Sequence, residues 1–370
     1  MNAMGLVFSN IHDSDLPELT QERTMGSIPF CGRYRLVDFP LSNMVNSGIT
    51  KVGIITKSNF QSLMDHVGSG KDWDLARKQG GLRILPPFGL KETGLYNTRL
   101  EALRGATTYI ARSNEEYVVM TDCDCVCNMR FDEMINEHIK NNADVSVVYI
   151  KKDFEDLNGT QNNIVLNVDD TNRVRGIYFD EKGTGTANLY VNVCIIKRTL
   201  LQTLIDEAFS HGHNHFAKDI LARNVKSLRI FAIEHKGYFV SIKSLQGYYT
   251  ESLKLLNKEV RDEIFRSVDL FTKVKDSVPT KYGANAVVKN SLIADGCIIE
   301  GTVENSIIFR GVKIGRGTVV KNSILMQGTI TGENVSLNAI ITDKSVVIKD
   351  KRVLSGCETL PFYISKNNII

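Results

Sequence analysis

Apolar residues along this chain fall into two regimes. Up to about residue 265 they come as short runs separated by amphipathic stretches. Gly5–Phe8, Lys51–Thr56, Tyr117–Thr121, Asp144–Lys151 and Leu189–Ile196 read as strands, and Ile84–Phe88 as a strand entering a proline-rich loop. Residues 60, 63, 64 and 67 have helical spacing, and 131–141, 199–209 and 244–265 also read as helices. Asn163–Val168 and Val174–Phe179 pair across a turn at 169–172. Strands alternating with helices predict an α/β, Rossmann-like domain with a mixed, mainly parallel sheet.

From Ala284 the helical pattern stops. Aliphatic residues recur at Val288, Ile293, Ile299, Val303, Ile308, Ile314, Val320, Leu325, Ile330, Leu337, Ile341 and Val347, with glycine, serine and asparagine between them. A step of five to six residues predicts a hexapeptide-repeat, left-handed parallel β-helix of about four coils. Its sticky faces need covering, by the first domain or by another subunit. The expected division is 1–265, a linker at 266–283 around Pro279–Gly283, and 284–370 with a C-terminal tail.

Composition narrows the function. A length of 370 residues suits two domains, and 42% hydrophobic with 24% charged residues is ordinary for a globular chain. A net charge of +3 disfavours nucleic acid as a partner. The chain has no apolar run of about 18 residues, so no membrane span is expected. Seven scattered cysteines suit a reducing, cytoplasmic setting.

The richest stretch is Met25-Gly-Ser-Ile-Pro-Phe-Cys-Gly-Arg-Tyr-Arg-Leu-Val-Asp-Phe-Pro-Leu-Ser-Asn43, followed by Asn46-Ser-Gly-Ile49. Arg33 and Arg35 sit two apart and would point the same way on an extended segment. Ser42 is placed to cap a helix over 43–47, with Gly48 as its stop. The stretch resembles the Phe-Gly-Gly-Lys-Tyr-Arg…Asp-Phe-x-Leu-Ser-Asn segment of glucose-1-phosphate adenylyltransferases. The resemblance extends along nearly the whole chain. It implies a scaffold on which glucose 1-phosphate attacks the α-phosphate of ATP with Mg²⁺ assistance.

The departures from that pattern fall where the chemistry would be. The family's glycine-rich phosphate loop is replaced from about Ser9 and Asn10 onward by a segment with Asp13, Asp15 and Glu18 and no Arg or Lys. At an effective dielectric near 20, one carboxylate about 4 Å from a phosphate charge opposes it by roughly 4 kcal/mol. Asn97, Thr98, Arg99 and Leu100 stand where small residues would admit the base. Met25 replaces the lysine of Lys-Pro-Ala. Asp124 matches the metal-binding aspartate, but its second partner is replaced by Ser241, and Lys243 follows as a cation that would take the place of the ion. Glu181-Lys182 matches a sugar-phosphate motif. Cys123, Cys125 and Cys127 share a face if extended, and His211, His213 and His215 alternate; both are weak as metal sites.

These residues imply a non-catalytic, regulatory subunit resembling the GlgD-type members, partnered by a catalytic GlgC-type subunit in a hetero-oligomer, a tetramer by expectation. No catalytic residues and no required cofactor are expected, Mg²⁺ belonging to the partner; Asp124 is then vestigial. Arg23, Arg33, Arg35, Lys51, Glu181 and Lys182 are candidates for holding a sugar phosphate or nucleotide. An active sugar-nucleotide pyrophosphorylase with a rearranged site is the alternative. A hexapeptide acyltransferase is disfavoured, since no histidine follows His235.

Overall fold

A computed structural model of the chain describes residues 2–87, 95–157, 161–266 and 269–370. Phe88 of the proline-rich loop and residues 267–268 of the expected linker lie outside them. The first domain is built on a nine-stranded sheet. Its centre is Ala3–Phe8, flanked by Tyr117–Asp122 and Lys51–Ile55, with Gly81–Leu85 beyond, all parallel. Thr186–Lys197 joins Tyr117–Asp122 antiparallel, so the sheet is mixed and mainly parallel. Every residue of Ala3–Phe8 is buried. Alternation sends Met4, Leu6 and Phe8 into one core and Ala3 and Val7 into the other, as a strand covered on both faces requires.

Two helices differ from expectation. The helix after the basic stretch spans Asp38–Asn46, beginning before Ser42. Pro40 fits its first turn, where no backbone donor is needed. Ser42 lies inside it, and its hydroxyl accepts from the Phe271 backbone N–H at 2.9 Å. The long helix at 244–265 is two, Leu245–Lys254 and Lys258–Phe265. Each has its own cap, Ser244 accepting from Gly247 N–H and Asn257 from Glu259 N–H.

The second domain is the left-handed β-helix. Three parallel sheets of five strands each make five coils, one more than the repeat suggested, starting at Lys281–Tyr282. Most coils advance by 15 or 17 residues, Ile298 pairing with Lys313 and Lys313 with Ile330, and the last step of the third sheet by 22, from Ile340 to Phe362. Three full hexapeptides would need 18 residues. The slippage moves some aliphatics off the inner face: Ile330 is 38% exposed, while Thr331 is buried beneath it.

The third sheet, beginning with Leu292–Ile293 and Ile307–Ile308, has apolar residues on both faces. Ile308, Leu325 and Ile340 face inward. Ile307, Ile324 and Ile341 face outward and pack on Phe30, Phe39, Tyr248, Tyr249, Leu255 and Ile264 of the first domain. The first domain therefore covers this face. Among the described residues no helix is long and apolar enough to cross a membrane.

The register yields a test. Ile324→Ala should lower stability by about 2–4 kcal/mol, as for a buried large-to-small change. Ile330→Ser should fall within about 0.5 kcal/mol of the wild type, as for surface changes. Urea unfolding of both variants measures this; equal losses would refute the register.

Candidate functional site

The carboxyl ends of Ala3–Phe8 and Tyr117–Asp122 lie side by side, Phe8 opposite Asp122. Open α/β sheets place ligands at such an edge. The short strand Cys125–Cys127 pairs antiparallel with Phe239–Ser241, bringing Ser241 opposite Cys125. Ser241 Oγ donates to Asp124 Oδ2 at 2.6 Å. Ser241, which stands where the resemblance expects a second carboxylate, therefore touches Asp124 through its hydroxyl.

The cation at this site is not Lys243. That residue is exposed, with Nζ 3.4 Å from Asn163 Oδ1. His12 takes the place instead. Its Nε2 lies 2.8 Å from Asp122 Oδ2 and 4.0 Å from Asp124 Oδ2, and its Nδ1 lies 3.2 Å from Asp15 Oδ2. Both ring nitrogens thus face carboxylates. A carboxylate only accepts, so this geometry calls for the doubly protonated imidazolium. Burial alone would lower the pKa, but Asp124, Asp122 and Asp15 outweigh it and hold His12 well above the ordinary histidine value.

Arg99 is the second cation. It opens the helix Arg99–Gly105, which Thr98 and Glu101 close with a reciprocal capping box. Its side chain turns inward, bonds Asp122 Oδ2, reaches the Asn192 carbonyl at 3.0 Å and lies 4.9 Å from the Phe8 ring centre. Burial works against ionisation of Asp122, but Arg99 and His12 hold its pKa below the usual carboxylate range. Bulk at position 99 therefore brings a charge as well as filling space.

The acidic loop is folded on itself. Ser9 and Asn10 are fully buried. Asn10 Oδ1 accepts from Thr56 Oγ1 and from the Lys57 backbone N–H, and its amide donates to Asp13. Asp13 also accepts from the Met25 backbone N–H at 2.8 Å. Burial pushes Asp13 up to about 6 against these hydrogen bonds. Asp13 thus ties the loop's two ends together, and is not a free surface charge.

His12, Asp122 and Asp124 each place one donor atom within 4.8 Å of the others. As a Mg²⁺ site the set fits poorly. Mg²⁺ favours oxygen ligands in octahedral order and keeps several waters. Here Asp122 Oδ2 already receives two cationic donors and Asp124 Oδ2 a hydroxyl. The cysteines offer no alternative among the described residues. Cys125 and Cys127 have sulfurs 4.0 Å apart and are buried, while Cys123 precedes that strand and packs against Gly26. His211 and His213 stack on each other at 5.7 Å.

The remaining candidates separate into two groups. Cys31 and Gly32, both with positive φ, turn the hairpin Pro29–Phe30 and Tyr34–Arg35. This sets Arg33 and Arg35 into a cleft of about 200 Å³ against the β-helix. Lys273, Lys275, Arg310 and Lys344 also line it, against one carboxylate, Asp65. Burial, and then the nearby Arg35 and Arg23, lower Lys344 to about 7. The others are engaged elsewhere. Arg23 is buried in an ion pair with Asp343 at 2.8 Å, and Lys51 pairs with Glu115 at 2.8 Å. Glu181 and Lys182 are exposed in a loop.

Residues 14–236 match the nucleotidyl transferase family, and 275–358 match the GlmU-like, C-terminal hexapeptide model. The glycogen biosynthesis protein GlgD of Bacillus subtilis is 35% identical over 98% of this chain and 95% of its own length. The chain belongs to the GlgD and glucose-1-phosphate adenylyltransferase family. A Geobacillus stearothermophilus protein of the GlgD name is 37% identical over 86% of the chain and 82% of its own. The glucose-1-phosphate adenylyltransferase of Thermosipho africanus is 32% identical, covering 86% and 78%.

His12, Arg99 and Asp122 are residues of this site that sequence reading missed as a set. A signal existed: a histidine inside an otherwise acidic loop, and an arginine in a position meant for a small residue. Their meeting depends on strand pairing over about a hundred residues.

The sign of the pH effect follows from the raised His12 pKa. Its contribution to stability is full below about pH 6.5, the unfolded value. It fades as pH rises through the higher folded value. Denaturant midpoints of the wild type and His12→Asn should differ clearly at pH 6 and converge toward pH 9. A gap that is constant or grows with pH would refute the imidazolium.

Proposed function

We propose that this chain is a non-catalytic, regulatory subunit of glucose-1-phosphate adenylyltransferase in glycogen biosynthesis. It works in the cytoplasm with a catalytic GlgC-type subunit in a hetero-oligomer, expected to be a tetramer. The observation that carries the reading is the self-neutralised cluster of Asp122 and Asp124 with His12, Arg99 and Ser241. The similarity to two proteins named GlgD supports it.

The reaction brings an attacking phosphate to the α-phosphate of ATP, and pyrophosphate leaves. Two anions must meet, so positive charge has to be directed outward at the substrates. Here His12 and Arg99 are directed at the protein's own carboxylates. Removing one electrostatic donor from an active enzyme typically costs about 10²- to 10³-fold in rate. In this chain the loop glycines, the lysine at position 25 and the second carboxylate at 241 are all replaced. The chain therefore requires no metal of its own, and Mg²⁺ acts in the catalytic partner.

The cleft of Arg33, Arg35 and Lys344 is the place for a phosphorylated ligand. Arg33, Arg35, Lys273 and Lys275 face one lining carboxylate, beside Arg310, which pairs with Asp295, and Lys344, only part-charged near neutral pH; the balance favours an anion. Regulation then means that this ligand and the partner contacts favour the same conformation of the oligomer.

The decisive assay is ADP-glucose formation with Mg²⁺ by the isolated chain, by the catalytic subunit, and by the two co-expressed. The isolated chain should turn over at least about 10³-fold more slowly than the catalytic subunit, consistent with more than one lost donor. The mixture should show a raised kcat or an altered effector response. Robust turnover by the isolated chain would replace this reading with that of an active pyrophosphorylase having a rearranged site. Ser241→Asp alone should leave turnover undetectable, because His12 and Arg99 still occupy the carboxylates. Recovery of activity by that single change would refute the role given to them.

A further inference from the structure

The donor atoms at the sheet edge differ in kind from those the family resemblance implies. Of the expected Mg²⁺ pair only Asp124 is present, with Ser241 in place of the other. The fold adds His12 and Asp122, so the converging set is one imidazole nitrogen and two carboxylates, all within 4.8 Å of one another. Oxygen donors alone suit Mg²⁺, whereas imidazole joined to carboxylates suits Zn²⁺ and its neighbours in the first transition row.

The spacing fits such an ion. Tetrahedral Zn²⁺ with ligands at about 2.0–2.2 Å sets its donors about 3.4 Å apart. His12 Nε2 lies 2.8 Å from Asp122 Oδ2 and 4.0 Å from Asp124 Oδ2, on either side of that value. Asp122 has an oxygen to spare. Its Oδ2 meets Arg99 and His12, while Oδ1 is buried and accepts no hydrogen bond among the described residues. A buried polar atom without a partner is uncommon and calls for a missing one.

The other side of the imidazole agrees. His12 Nδ1 lies 3.2 Å from Asp15 Oδ2. A histidine that ligates a metal through one ring nitrogen typically donates the other N–H to a carboxylate, which fixes its tautomer and orientation. Charge points the same way. Asp15, Asp122 and Asp124 meet one permanent cation, Arg99. An imidazolium leaves one negative charge over; a divalent ion on a neutral imidazole leaves none.

We propose that His12, Asp122 and Asp124 form a site for one transition-metal ion of the Zn²⁺ class, with Asp15 as the residue that positions His12. The ion takes the place of the Nε2 proton. The paired cluster described above is the metal-free form of the same residues. This site does not rest on the regulatory reading, since it needs neither a partner subunit nor a nucleotide.

The test is titration of the full chain, first stripped with a chelator, using Co²⁺ as a coloured probe for Zn²⁺. One Co²⁺ per chain should bind with the strong visible bands of four-coordinate geometry, and one equivalent of Zn²⁺ should bleach them. Excess Mg²⁺ should not. His12→Asn should weaken binding by more than about 100-fold, and Asp15→Asn by about 10- to 100-fold. His213→Gln should leave the titration unchanged, which separates this site from the histidine loop at 211–215. If His12→Asn fails to fold, Asp15→Asn, at a half-exposed position, decides the matter. No strong bands in the wild type, displacement of Co²⁺ by Mg²⁺, or wild-type affinity in Asp15→Asn would each overturn the site. None of these outcomes bears on ADP-glucose formation by the co-expressed subunits, which tests the regulatory reading separately.

Discussion

Two carboxylates buried at the end of a parallel sheet need positive charge, and this requirement organises the site. Asp122 and Asp124 are both nearly inaccessible. An isolated ionised carboxylate in such a place is strongly disfavoured unless paired. The chain meets the need from within, through His12 on the loop and Arg99 at a helix start. Under the proposed regulatory reading, this scaffold differs from a catalytic one in whether its cations point at ligand or at protein.

That choice propagates. His12 can reach Asp122 only because the loop folds back, with Asn10 and Asp13 engaged by Thr56, Lys57 and Met25. The returning segment then lies against the β-helix, where Arg23 meets Asp343. The two domains are joined by an apolar seam of Ile307, Ile324 and Ile341 against Tyr248, Tyr249 and Phe30. The polar contacts beside it sit on a surface already fixed by packing. The basic cleft is the opening left along the same junction.

Much of the fold was legible in the sequence. Runs such as Gly5–Phe8 and Tyr117–Met120 are apolar throughout, as strands covered on both faces must be, and the repeat after Ala284 specifies a solenoid. Local signals failed where context overrode them. Ser42 has the chemistry of a cap, yet the helix starts at Asp38, and the hydroxyl serves Phe271 instead. Ile330 and Ile341 fit the inward column by spacing but point outward, because the steps of 15 and 17 residues that lead up to them slip against a six-residue count.

By itself the sequence determined the two architectures, and it set Ser9, Asn10 and Ser241 where the family resemblance expects glycines and a carboxylate. These are matters of residue type and local spacing. Only the tertiary structure decided which charges meet. Arg23 and Arg35 look alike in sequence, yet one is buried against Asp343 and the other lines a cleft. The sequence offered Lys243 to neutralise Asp124, yet it is His12 that lies between Asp122 and Asp124. The physical reason is that electrostatic pairing depends on distances of a few ångströms between residues far apart along the chain. Those distances are set by sheet pairing and interdomain packing, which no local pattern records.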